Sequence, residues 1–271
     1  MIYETIRLTE DGATLTPISV AETEDLVAAP RRAVIVCPGG GYKDLSRREA
    51  EPIALQFMGA NFATFVLRYT TCEGAKDYAP LKQAALAIKY VREHAKEYNV
   101  DPDYVFICGF SAGGHLAASA GIFAESDAVK EVIGEENLAM SRPTGMILCY
   151  PVITAGEWAH RSSFNRLCGK ENPTKEELDA FSLELHVSEK TPPAFIWHTF
   201  TDQAVPVQNS LLLADAMTKA GVPFELHIFP EGPHGLALCN EQTAHGEPKY
   251  ILPHNECWID LAIAWAKDLK I

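Results

Sequence analysis

Positive charge is scarce in this 271-residue chain: 23 Lys and Arg stand against 36 Asp and Glu, a formal charge of −13. A nucleic-acid partner needs a basic footprint to neutralise phosphates, and an anionic lipid surface attracts cations, so neutral or cationic partners are expected instead. Long apolar runs are also missing. No segment approaches 18 uninterrupted apolar residues, and Met1 to Glu10 has no basic flank leading into an apolar stretch, which argues against a membrane span and a secretory leader. A paired cysteine framework is absent too. The count of seven is odd, and Cys37, Cys108 and Cys149 lie within or at the ends of apolar strand-like runs, which suits buried free thiols and a reducing compartment. The histidines and cysteines lack zinc-like spacing, and no G-x-x-x-x-G-K phosphate loop occurs. No metal and no cofactor are therefore expected, and the protein is expected to be soluble and cytoplasmic.

What is present is an apolar content of 47%, ample for one large core, and strand-like runs alternating with helix-like ones. Ala33 to Cys37 and Phe62 to Leu67 read as buried strands, as do Tyr104 to Cys108, Met146 to Tyr150, Ala194 to His198 and Phe224 to Phe229. Between Pro80 and Tyr98 the residues Leu81, Ala84, Ala85, Ile88, Val91 and Ala95 recur at helical spacing. Val207 to Ala220 reads as a helix stopped by Gly221, and the last helix, about Asn255 to Lys270, places Trp258, Leu261, Ala262, Trp265 and Leu269 on one face. The first twenty residues suggest an antiparallel edge hairpin. The alternation predicts an α/β fold with a mostly parallel sheet of about eight strands, helices on both faces, and a single domain over residues 1–271. Between Ile153 and Pro192, about forty residues lack a strand-like run, and connections of that length are usually functional. A small lid over 154–191 is expected there, with a short helix announced by Thr174-Lys175-Glu176-Glu177.

The chemistry is concentrated around one serine. Gly109-Phe110-Ser111-Ala112-Gly113 follows the strand-like Tyr104 to Cys108 and precedes the small-residue helix from His115. A G-x-S-x-G turn in that setting pushes the hydroxyl above the sheet. A hydroxyl is a poor nucleophile until a base takes its proton and a third group holds that base. Asp202 follows the strand ending at Trp197-His198, and His234 follows the strand ending at Phe229, so both fall where open α/β sheets bind ligands. Of the other histidines, His115 comes too early in the chain, His227 lies within a strand, His94 lies near the end of a solvent-facing helix, and neither His245 nor His254 directly follows a strand. Cys37-Pro38-Gly39-Gly40-Gly41-Tyr42 could aim backbone amides at a developing oxyanion, completed by the amide of Ala112.

These motifs resemble the α/β-hydrolase superfamily, and within it the hormone-sensitive-lipase-like esterases and their relatives described as acetyl esterases or acetyl xylan esterases. The resemblance rests on Pro38 to Tyr42, Gly109 to Ala117, Pro192-Pro193 through Asp202 to Val205-Pro206, and Phe229 to Leu236. It implies a serine carboxylesterase with Ser111 as nucleophile, Asp202 as acid, His234 as base, and Gly40, Gly41 and Ala112 as oxyanion donors. Tyr42, Phe110 and Trp158 are expected to contact the substrate. That substrate would be a small-molecule ester of acetyl type, with acetylated carbohydrates among the candidates; a homodimer stays open. Two departures stand out. Pro38 occupies the place of a histidine that braces the glycine loop in such relatives, so this loop must be braced otherwise, and Thr199 stands where relatives often have glycine. Two other readings share the fold: a peptidase or amidase of prolyl-oligopeptidase type, and a catalytically silent ligand-binding hydrolase.

Overall fold

Alternation of side chains along each strand builds two cores at once. In the computed structural model, which describes residues 2–20 and 29–270, strand β4 spans Arg31–Cys37 and is preceded by β1 (Ile2–Tyr3), β2 (Ile6–Arg7) and β3 (Thr14–Ser19). Ala33, Ile35 and Cys37 of β4 enter the apolar cluster on one face of the sheet, while Val34 and Val36 enter the cluster on the other. The period of two thus buries both faces, as in parallel sheets covered by helices. The remaining strands are β5 (Ala63–Arg68), β6 (Val100–Phe110), β7 (Gly145–Cys149), β8 (Ala194–Thr199) and β9 (Phe224–Phe229). Each fully buried Phe on them, such as Phe65, contributes up to about 3 kcal/mol relative to an exposed one.

The sheet has nine strands in the order β1-β3-β5-β4-β6-β7-β8-β9, with β2 also paired to β3. From β5 through β9 all pairs are parallel, and β3 joins β5 antiparallel. The expected count of about eight rises to nine because the amino-terminal hairpin consists of two separate two-residue strands on one partner.

Ten α-helices occur among the described residues: α1 (Glu51–Gly59), α2 (Ala79–Glu93), α3 (Ala112–Ile122), α4 (Asp127–Ile133), α5 (Leu138–Ser141), α6 (Arg161–Cys168), α7 (Lys175–Asp179), α8 (Gln208–Ala220), α9 (Pro253–Glu256) and α10 (Trp258–Asp268). Helix α2 carries the predicted stripe, with Leu81, Ala84, Ala85, Ile88 and Val91 buried. It stops at Glu93, short of the expected Tyr98, because the chain must reverse through Asn99, at φ 50°, to enter β6. Gly221 caps α8 in the left-handed conformation, φ 71°. The final helix is interrupted at Cys257, yet its apolar face packs as expected, with Trp258 stacked on Trp197 at 5.1 Å.

Register sets the level of the carboxyl ends. Cys37 pairs with Gly109, Phe110 with Cys149, Cys149 with Trp197, and Thr199 with Phe229. The loops leaving β4, β6, β8 and β9 therefore start from one rim. The segment between β7 and β8 holds α6 and α7, and α7 opens on a capping box in which Thr174 Oγ1 accepts from the Glu177 amide at 3.3 Å and Glu177 Oε2 from the Thr174 amide at 2.9 Å.

Candidate active site

Between β6 and α3 the chain turns on Ser111 alone, which holds φ 54° and ψ −117°. That conformation is costly for a residue with a β-carbon, of order 1–3 kcal/mol, and persists only where neighbours enforce it. Three hydrogen bonds do so: the Ser111 amide donates to Cys149 O at 3.0 Å, and Ser111 O accepts from Val152 N at 3.0 Å and His115 N at 3.1 Å. The flanking glycines serve close approach. A Cβ on Gly109 would lie 2.0 Å from Gly113 O, and one on Gly113 would lie 2.2 Å from Cys37 O, so neither position admits a side chain. The result is a rigid serine whose residue surface is 7% exposed.

His234 Nε2 lies 2.7 Å from Ser111 Oγ, and His234 Nδ1 lies 2.6 Å from Asp202 Oδ2. The three side chains expected from the sequence thus form one hydrogen-bonded line, drawn from three loops at the common rim. Its geometry suits a hydroxyl donating to Nε2 while Nδ1–H donates to the carboxylate. The other oxygen of Asp202, Oδ1, accepts the amides of Ala204 and Val205, both at 2.9 Å. Burial by itself pushes the Asp202 carboxyl up, but hydrogen bonds from His198 and His234, the charge of His234 and the Val205 amide outweigh it and hold the group well below the usual carboxylate range. The carboxylate therefore stays ionised across neutral and mildly acidic pH.

The glycine loop after β4 wraps the other side of Ser111. A Cβ on Gly39 would lie 3.0 Å from Ser111 Cβ. Gly40 at φ 135° and Gly41 at φ 63° turn the backbone there. The carbonyls are all taken: Gly39 O by Ser46 N at 2.9 Å, Gly40 O by Lys43 N at 3.0 Å and Asp44 N at 3.2 Å, and Gly41 O by Arg166 Nη1 at 3.0 Å. Among the described residues, the amides of Gly40, Gly41 and Ala112 meet no acceptor. In place of the bracing histidine missing at Pro38, Tyr69 donates to Pro38 O at 2.6 Å and Glu49 Oε2 accepts Gly39 N at 2.9 Å.

Tyr42 and Phe110 do not face the open side of the site, contrary to the expectation that they contact substrate. Phe110 is the last residue of β6 and points into the core opposite Ser111, with its ring edge-on to Tyr150 and Trp258, both at 5.8 Å. Tyr42 is 1% exposed and donates to His115 Nδ1 at 2.9 Å. Trp158 stays on the surface, 38% exposed. In their place, His160 and Ser163 of the β7–β8 segment stand beside Gly41, where a Cβ would lie 3.4 Å from His160 Cε1 and 3.7 Å from Ser163 Oγ. Burial lowers the His160 pKa, and the charges of His234 and Arg166 add to the effect against the pull of Asp202.

Several polar residues around the line had no signal in the local sequence. His198, at the end of β8, is fully buried with Nδ1 2.8 Å from Ser210 Oγ and Nε2 2.8 Å from Val205 O and 3.4 Å from Asp202 Oδ2. Thr199, the second departure from the relatives' pattern, donates to Gly232 O at 2.8 Å and so ties β8 to the histidine loop. Such partners lie far apart in the chain, and only the β8–β9 register brings them together.

His115 lies beneath the glycine loop, with Nε2 2.9 Å from Phe181 O. With Nδ1 accepting from Tyr42, this fixes a neutral ring carrying its proton on Nε2. Burial pushes its pKa down to about 4, against the upward pull of the Phe181 carbonyl. In the unfolded chain it titrates near its usual value of about 6.5. The unfolded state therefore binds more protons between these values: the stability is fully present above pH 6.5 and falls as the pH drops toward 4, by about 3 kcal/mol in all. Urea unfolding at pH 7 and pH 5 should show about 2 kcal/mol of this loss, and the His115→Gln protein should lack that part of the difference; an unchanged pH dependence would contradict it.

The BD-FAE family profile matches residues 24–217. The chain is 41% identical over 219 residues to endo-1,4-beta-xylanase B of Butyrivibrio fibrisolvens, covering 80% of this chain and 34% of that protein. It is 34% identical over 212 residues to an acetylxylan esterase of Xylanibacter ruminicola, covering 76% of this chain and 41% of that protein. The chain thus spans well under half the length of these two curated relatives. An acetyl ester-xyloside bifunctional hydrolase from Caldicellulosiruptor lactoaceticus has a solved structure that is 37% identical, superposes with a TM-score of 0.83, and covers 97% of this chain and 95% of its own.

Proposed function

The chain belongs to the BD-FAE family, in the acetyl esterase-like branch of the α/β-hydrolases, and on that footing we propose that it is a serine carboxylesterase removing acetyl-type groups, with acetylated carbohydrate as the substrate class. The observation that carries this reading is the line Ser111 Oγ, His234 Nε2 and Nδ1, Asp202 Oδ2, at 2.7 and 2.6 Å. Ser111 Oγ attacks the ester carbonyl carbon as its proton passes to Nε2 of His234. Asp202 holds the ring in the required tautomer and offsets the charge it gains. The carbonyl oxygen becomes negative and is received by the amides of Gly40, Gly41 and Ala112, each such donor being worth roughly 3 kcal/mol in the transition state. Collapse expels the alcohol, which takes the proton from His234. Water then attacks the acyl-enzyme with His234 again as base, releasing the acid and restoring Ser111.

The names of the relatives support acetyl esters of xylan-type sugars. The polar side chains of His160, Ser163 and Arg166 beside the glycine loop add support for a hydroxylated alcohol portion. We assign the segment 154–191 as the wall or lid that carries these groups within a one-domain protein. All seven thiols are free, which supports a cytoplasmic setting. The test is a series of nitrophenyl esters of increasing acyl length beside acetylated xylo-oligosaccharides. Acetyl and propionyl esters should turn over fastest, with acetate released from the sugars; a preference for acyl chains of about eight carbons or more would exclude the acetyl reading.

A further inference from the structure

We infer that Glu49 is a positioning residue, whose carboxylate locks the glycine loop and the histidine loop into one unit through the phenol of Tyr150. This inference rests on the esterase reading. Glu49 ends a short turn within Arg47-Arg48-Glu49, a charged stretch, yet it is only 4% exposed. Its Oε2 accepts the Gly39 amide at 2.9 Å, immediately before the two amides assigned to the oxyanion. Its Oε1 accepts the Tyr150 hydroxyl at 2.8 Å. The same phenol oxygen accepts the amide of Ala237 at 2.9 Å, three residues beyond His234. The Tyr150 ring also lies edge-on to the His234 ring at 5.1 Å.

The direction of this chain of hydrogen bonds is fixed. Ala237 N–H can only donate, so the phenol accepts there and spends its one proton on Glu49. Both carboxylate oxygens must then accept, one from each side. Burial, followed by the charge of Glu49, raises the Tyr150 pKa, so the phenol keeps its proton. A buried carboxylate is costly to desolvate, and an apolar residue of like volume is often no less stabilising. The return on Glu49 is geometric: it links the donors for the oxyanion to the loop carrying the base, which come from opposite sides of Ser111.

Glutamine is the informative replacement because it has one acceptor and one donor. Glu49→Gln can accept from Gly39 or from Tyr150 but not from both: with its oxygen on Gly39, its NH₂ faces a phenol oxygen that already accepts from Ala237, and the phenol proton loses its acceptor. For Glu49→Gln and Tyr150→Phe we expect kcat on a short ester to fall on the order of 10- to 100-fold, with KM nearly unchanged. The rate is taken per active site, counted by fluorophosphonate labelling. Because both variants cut one linkage, the double variant should be no slower than the slower single one. A brace serving stability alone would lower the thermal midpoint and leave kcat per labelled site intact. Unchanged kcat per site, a loss confined to KM, or losses that multiply in the double variant would each overturn the inference; if Glu49→Gln fails to fold, Tyr150→Phe decides alone. Ser111→Ala measured alongside separates the two levels: activity surviving in that variant refutes the serine mechanism at Ser111 on which the inference rests, whereas activity lost there but undisturbed in the other two refutes only the role of Glu49.

Discussion

Ser111→Ala should lower turnover of a short ester by about 10⁴- to 10⁶-fold while leaving the fold intact. The substitution keeps the β-carbon, so the backbone at φ 54° and ψ −117° is no more strained than before, and the three backbone hydrogen bonds through residue 111 survive. It removes one oxygen, the atom 2.7 Å from His234 Nε2. His234 keeps its bond to Asp202. The stability change should stay within about 1 kcal/mol, so the rate loss reports chemistry rather than unfolding. Steady-state hydrolysis of nitrophenyl acetate, with circular dichroism on the same sample, checks both halves. A residual rate within about 100-fold of the parent would mean that the nucleophile lies elsewhere.

The second large effect is at Asp202. Asp202→Asn keeps the shape of the side chain and changes which atom can accept. Two amides, Ala204 and Val205, hold Oδ1 from one side, so the oxygen of Asn is drawn to that position and its NH₂ is turned toward His234. A donor facing Nδ1 forces the imidazole into the other tautomer, with its proton on Nε2, pointed at Ser111. The ring can then no longer take the proton of the hydroxyl. Such a misplaced proton costs about 10⁴-fold in kcat, with the geometry otherwise preserved. Nitrogen chemical shifts of His234 report the tautomer directly, and kcat reports the consequence. A loss below about 100-fold, or an unchanged tautomer, would show that Asp202 does not orient the ring.

The features legible in the sequence were those written in adjacent residues. Alternating apolar runs marked β4 to β9, the stripe from Leu81 to Val91 marked α2, and the three loops holding Ser111, Asp202 and His234 were each flagged by glycine or proline beside a strand end. Other features were invisible for a physical reason. Phe110 sits next to the serine in the chain, but alternation in β6 sends it through the sheet into the opposite core. Tyr42 follows three glycines and turns inward to His115. Glu49 stands in a charged run that reads as solvent-facing surface, and its partners Gly39 and Tyr150 belong to other loops, the latter 101 positions away. Thr199 and His198 look like ordinary strand residues until the neighbouring loops are in place. Local pattern reveals which residues can react; the groups that hold them are chosen by tertiary contact.

Among the described residues, strand β9 has a neighbour on one side only, and the loop carrying His234 hangs from its end. A base mounted at the fringe of a scaffold would swing without tethers. Thr199 and Thr201 grip Gly232, Asn255 holds the Glu231 carbonyl at 2.8 Å, and Tyr150 holds Ala237. This crowding of hydroxyls and amides around the seven-residue span from Glu231 to Ala237 substitutes for the missing strand, giving an outermost loop the stiffness of an interior one.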